Sequence, residues 1–142
     1  MSMLRFILPA IALTVAACSN LPTQQVSTPV ETPPISPSTL IGTWDVSLYF
    51  SEDQPPSSTA LVVESGQDGV LEGSFYGSPF SDSGVTAFEG DILFTAVTAD
   101  GTGPYLHSGR LSKGADMIEG QTLSTGRDFL MAWTATRQIE ED

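Results

Sequence analysis

The chain has one cysteine, one histidine and five basic residues in 142 positions. One cysteine excludes a disulfide within the chain. One histidine with no pair of thiols leaves a zinc site to carboxylates, and none stand at fitting positions. Five bases against 17 acids give a net charge of −12. That balance argues against nucleic acid, because phosphate binding needs basic patches. There is no G-x-S-x-G element, no P-loop lysine and no D-x-[DN]-x-[DN]-G spacing. The loop Asp100-Gly101-Thr102-Gly103 is therefore a hairpin turn rather than a calcium or phosphate loop. These absences point away from an enzyme, a metal site and a bound cofactor.

Glycine is absent from the first 41 residues, and all 13 glycines fall between Gly42 and Gly126. Five of the ten prolines fall between Pro22 and Pro37. Three regions follow from this unevenness. Residues 1–17, MSMLRFILPAIALTVAA, carry one cation, Arg5, and then an apolar run too short for the roughly 20 residues of a spanning helix. Charge, apolar core and small residues in that order read as a secretory signal. Residues 19–39 hold no glycine and no aromatic residue, and their prolines block helix and central strand. They read as an extended tether reaching on the order of 65 Å at about 3.1 Å per residue. A glycosylated or partner-docking Ser/Thr-Pro stretch is the alternative. Removal of Arg5 with the leader leaves four bases against 17 acids, a net charge of −13.

Val15-Ala16-Ala17-Cys18 resembles the lipobox of bacterial lipoproteins: an aliphatic residue and two small ones before a cysteine. The resemblance implies that Cys18 carries a diacylglycerol, that the signal is cut before it, and that the new amino terminus is acylated. Several acyl chains anchor firmly where one does not, so the expected partner is a lipid bilayer. Ser19, in place of an aspartate, is similar to the sorting pattern for the outer membrane.

From residue 40 to 139 the dominant period is two. In the first run Trp44, Val46, Leu48 and Phe50 share one face, with Thr43, Asp45, Ser47 and Tyr49 opposite. Similar runs cover 59–65, 70–76, 85–89, 91–98, 104–112, 116–124 and 128–137. Between them stand Asp68-Gly69, Glu89-Gly90, Asp100-Gly101, Lys113-Gly114 and Thr125-Gly126, which supply tight-turn chemistry. With no helix pattern available for parallel crossovers, the sheet is antiparallel. The expected fold is all-β, a small up-and-down β-barrel of about eight strands, with a β-sandwich as the alternative. Residues 140–142 form an acidic tail. An apolar-acid-glycine signature recurs at Leu71-Glu72-Gly73, Phe88-Glu89-Gly90 and Ile118-Glu119-Gly120. It predicts outward acids, with glycines that let a strand bend or make room for a large neighbour.

Gly42-Thr43-Trp44 resembles the Gly-x-Trp opening of lipocalins and related avidin-like barrels. The resemblance implies that Arg137, at the end of the last run, packs over Trp44 and closes one end. The chain lacks the Thr-Asp-Tyr motif, a long first loop and a helix after the last strand. It is also similar to small lipoprotein barrels that inhibit metalloproteases. The lumen of such a barrel is either filled by side chains or holds one small ligand. Phe50, Phe75, Phe94, Phe129 and Trp133, with His107, are the candidates for lining it. His107 reads as a strand position in the wall or on the surface, as a residue of the barrel mouth, or as a base without a nucleophile nearby. Two functions follow. One is binding of a small apolar ligand in the lumen. The other is an envelope-protein-binding or inhibitory module acting through loops such as 51–58 and 77–84, with Phe80 as a tip.

Overall fold

In a computed structural model, the structure describes residues 36–139. The leader, Cys18, the tether up to residue 35 and the acidic tail lie outside these residues. One 3-10 turn, Pro37–Leu40, precedes nine strands. These are β1 (Gly42–Tyr49), β2 (Ser57–Gln67), β3 (Val70–Phe75), β4 (Ser78–Pro79), β5 (Asp82–Phe88), β6 (Asp91–Asp100), β7 (Gly103–Leu111), β8 (Met117–Ser124) and β9 (Phe129–Arg137). Every pairing is antiparallel, in the order β4-β3-β2-β1-β9-β8-β7-β6-β5. The all-β expectation holds, and eight of the nine strands fall on the alternating runs. The ninth, β4, is only two residues long.

Three hairpins turn on two residues, both at positive φ: Asp68-Gly69, Tyr76-Gly77 and Glu89-Gly90. That is the twist a two-residue connection needs to match its strands. Glu89-Gly90 is therefore a turn, whereas Glu72-Gly73 and Glu119-Gly120 lie within strands. The apolar-acid-glycine signature covers two different jobs.

The sheet closes on itself along a seam between β3 and β5, where a hydroxyl takes the place of part of the ladder. Ser83 Oγ donates to Leu71 O at 2.7 Å and accepts from Leu71 N at 2.9 Å. Beside it Val85 N donates to Gly69 O at 2.9 Å. Without these bonds β3 and β5 would be facing open edges, with unpaired backbone groups. The closed sheet is a barrel.

Alternate residues fill the interior. Trp44, Val46, Leu48, Leu61, Val63, Leu71, Phe75, Ile92, Phe94, Ile118 and Trp133 are all buried in one cluster. Midway along the barrel Gly109 and Gly120 face each other across β7 and β8. The Trp133 ring lies on Gly120, so close that a Cβ there would sit 2.2 Å from Cζ2. Phe94 lies on Gly109, where a Cβ would be 2.5 Å from its ring. Two large rings thus fit inside a narrow barrel because the facing wall carries no side chains. This layer divides the interior into two ends.

Candidate functional site

One end is sealed. Leu40, fully buried, is carried into it by the 3-10 turn, and its carbonyl accepts the Trp44 indole N–H at 2.9 Å. The Arg137 guanidinium sits 4.2 Å from the Trp44 ring centre, donates to Ile41 O at 2.7 Å, and also donates to Thr39 O. It lies 2.7 Å from where a Cβ on Gly42 would be, so the glycine of the opening motif leaves the space the arginine uses.

The other end is open and holds a cavity of about 410 Å³. Its walls are apolar: Leu48 and Phe50 from the end of β1, Phe75 from β3, Phe129 and Met131 from β9. Its floor is polar. Thr98, His107 and Thr122 arrive from three neighbouring strands: the registers set Thr122 on β8 directly opposite His107 and Thr98 on β6 opposite Tyr105, two residues along the same inward face of β7. His107 Nε2 bonds Thr98 Oγ1 at 2.9 Å, and Nδ1 bonds Thr122 Oγ1 at 2.8 Å. A threonine hydroxyl can donate or accept, so the two bonds suit a neutral imidazole, which donates from one nitrogen and accepts at the other. Burial favours the same state, lowering the His107 pKa to about 4. The imidazole is also stacked on Phe75, with centroids 4.2 Å apart. Chemically this is an uncharged, hydrogen-bonded floor.

The rim is charged. Asp100 Oδ1 accepts from the hydroxyl and the backbone N–H of Thr102, at 2.5 and 2.7 Å, and Oδ2 accepts from the Tyr105 hydroxyl at 3.0 Å. The Thr102 bonds above all hold its carboxyl below the ordinary value. Arg127 Nη1 donates to Tyr105 Oη at 3.2 Å, and its guanidinium lies 5.9 Å from the Phe129 ring centre. The phenol bond is the main reason the Arg127 pKa is raised.

Of the lining residues expected from the sequence, the structure brings together Phe50, Phe75, His107 and Phe129. Phe94 and Trp133 lie outside this cavity, in the glycine-floored layer next to it. Sequence reasoning missed Thr98, Thr122, Tyr105, Asp100 and Arg127. A threonine on the apolar face of a strand, as in the ILFTAVT run, was the available signal for the first two. Phe80 is no free tip: it packs against the core beside Gly73.

A larger concavity of about 610 Å³ runs over the outer wall above Gly84, Gly109 and Gly120, but it is a shallow trough open to solvent. It lacks the enclosing walls that small-molecule sites use. Among the described residues no three of His, Cys, Asp and Glu converge as a metal site would require. No protein-family model, no curated protein and no solved structure matches the chain, so its activity has to be argued from the barrel itself.

Proposed function

We propose that this chain is a lipid-anchored lipoprotein of the bacterial envelope whose barrel binds a small, largely apolar molecule in its open end. The observation that carries the binding part is the cavity of about 410 Å³, with aromatic and aliphatic walls and a neutral polar floor. A few convergent polar groups within apolar walls are what small-molecule sites have in common. The anchoring part is supported by the lipobox-like Val15-Ala16-Ala17-Cys18 and the proline-rich stretch behind it. The lipocalin-like reading is supported by Gly42, Trp44 and Arg137, which meet at the sealed end. No catalytic step is part of the proposal, since both nitrogens of the one histidine are engaged by threonines.

Native mass spectrometry of the protein extracted from its own envelope tests the reading. A stoichiometric small mass that disappears in Phe75→Trp, which fills the cavity, is the expected result. A bare protein in repeated preparations, with no small molecule from an envelope extract rebinding, would count against it.

One observation favours the second reading, a protein-binding module. Val97, Leu106, Leu123 and Leu130 form a continuous outward row across β6 to β9. Leu106, Leu123 and Leu130 are exposed. Leu123→Glu with Leu130→Glu would release a protein bound there and leave the small mass in place.

A further inference from the structure

The charge on the cavity rim narrows the ligand class. Arg127 carries several N–H donors and commits one of them, to a neutral phenol. Among the described residues the only ion pair is Arg110 with Asp91, far from the Arg127 loop in the ladder. Asp100 is the nearest acid to Arg127 in the rim network, and both of its oxygens are taken by Thr102 and Tyr105. The phenol stands between the two charges. Among the described residues Arg127 is also the only arginine or lysine that lines the cavity: Arg137 packs at the sealed end, and Arg110 pairs with Asp91, whose other oxygen accepts the Lys113 backbone N–H. In a chain of net charge −12, a cation placed at the mouth with unspent donors marks where an anion would sit.

We propose that the cavity takes a single-chain amphiphile with one anionic head, bound by Arg127 at the rim, its apolar body lying between Leu48, Phe75, Phe129 and Met131. This rests on the reading of the cavity as a ligand site. The size favours one chain or ring system over two, because about 410 Å³ is near the lower end of small-molecule sites. The floor fixes the orientation. Its hydroxyls and imidazole are bonded to one another and offer no charge, so a carboxylate or phosphate driven there would lose its hydration uncompensated. The head stays at the mouth.

Isothermal titration of the full chain, carrying Cys18→Ser so that no lipid is attached, tests this with four probes of one chain length. They are dodecanoate, dodecyl phosphate, dodecanol and dodecyltrimethylammonium, the charged probes below their micellar concentrations and dodecanol below its solubility limit. The two anions should bind about tenfold or more tighter than the alcohol, as expected for a hydrogen bond to a charged group, and the ammonium should bind weakest. Arg127→Met should remove the anion preference, weakening the two anions far more than dodecanol, while Arg127→Lys should restore part of it. The order of carboxylate and phosphate then assigns the head, and either order supports the proposal. Equal binding of alcohol and anions, or preference for the ammonium, overturns the anionic class while the cavity reading stands. Saturable binding of none of the four overturns both.

Discussion

The two ends of the barrel are built from the same strands and use their polar groups in opposite ways. At the sealed end the Trp44 N–H, the Arg137 guanidinium and the Gln138 N–H all bond backbone carbonyls, of Leu40, of Thr39 and Ile41, and of Thr43. These bonds tie the turn before β1 and the end of β9 to the barrel end. At the open end the side-chain groups bond one another around a space, and Phe50 and Tyr76 stand 62% and 65% exposed beside it. A small barrel can bury only a limited apolar area, so stability has to be concentrated somewhere. Here it is concentrated around Trp44 and in the ring layer on Gly109 and Gly120, which frees the mouth from a structural duty. Stability and binding are then separable by mutation.

The largest expected effect is at the sealed end. Trp44→Ala removes a side chain that is 1% exposed, with its hydrogen bond to Leu40, and should cost about 3–5 kcal/mol by chemical denaturation. A cost under about 1 kcal/mol would mean that the turn and Arg137 close the barrel without it, and the contrast between the ends would fail.

Next comes the pH dependence set by His107. Its pKa is lowered to about 4 in the folded chain from an ordinary 6.5, because burial disfavours the imidazolium. Between those values the unfolded chain binds more protons than the folded one. Stability is therefore full above 6.5 and falls as the pH drops toward 4, by on the order of 2–3 kcal/mol. Asp91 and Asp100, held low by their hydrogen bonds, contribute stability that is lost only below their ordinary value of 3.8, outside this window. Urea midpoints at pH 7.5 and 4.5 measure the effect. The difference between the native chain and His107→Gln, which keeps a donor and an acceptor for the threonines, isolates the histidine from the other acids. Parallel curves would mean that water reaches the floor and solvates the charged form.

The sealed end was far more legible in the sequence than the open one. The expectation of Arg137 over Trp44 came with the Gly-x-Trp resemblance, and the β1–β9 register that sets the two opposite each other brings the guanidinium to the ring. The eight long strands were legible too, because a half-buried strand writes its period directly into the residues. β4 was not: two residues carry no period, and Tyr76-Gly77 does not look like a turn until a tyrosine is seen at φ 54°. Nor was the His107 floor. It depends on the register that sets Ala96 and Thr122 opposite His107, and register across strands is a property of pairing rather than of any one run. Phe94 and Trp133 read as lining because they alternate inward. Whether an inward ring lines a space or fills one depends on what faces it, and here that is Gly109 and Gly120.

That dividing layer makes the third prediction. Gly120→Ala would place a methyl group 2.2 Å from Trp133 Cζ2, 2.4 Å from Cε2 and 2.4 Å from Cη2. The ring must tilt or the strand must move, at about 1–3 kcal/mol. Trp133 touches Phe75, with centroids 5.2 Å apart, and Phe75 stacks on His107, so a tilt passes on to the cavity floor. Denaturation together with the histidine ring shifts in NMR should therefore report both a loss of stability and a moved imidazole. A loss of stability with unmoved shifts would show that the layer insulates the two ends from each other completely.

The smallest effect on folding belongs to Phe50, and it is the sharpest test of the separation. Phe50 follows the last residue of β1 and lines the cavity although 62% of it is exposed. Truncating a side chain that is already mostly in water removes little buried area, so Phe50→Ala should change stability by no more than about 0.5 kcal/mol. The same ring would lose its exposed face only when a ligand covers it, and that area enters the binding free energy instead. Phe50→Ala should thus leave the denaturation midpoint in place and weaken dodecanol and dodecanoate equally, because it touches the body of the probe and not its head. A shifted midpoint would assign Phe50 to the fold. Unchanged affinity with an unchanged midpoint would place the ligand deeper, against Phe75 and Met131 alone, and confine the mouth to the recognition of charge.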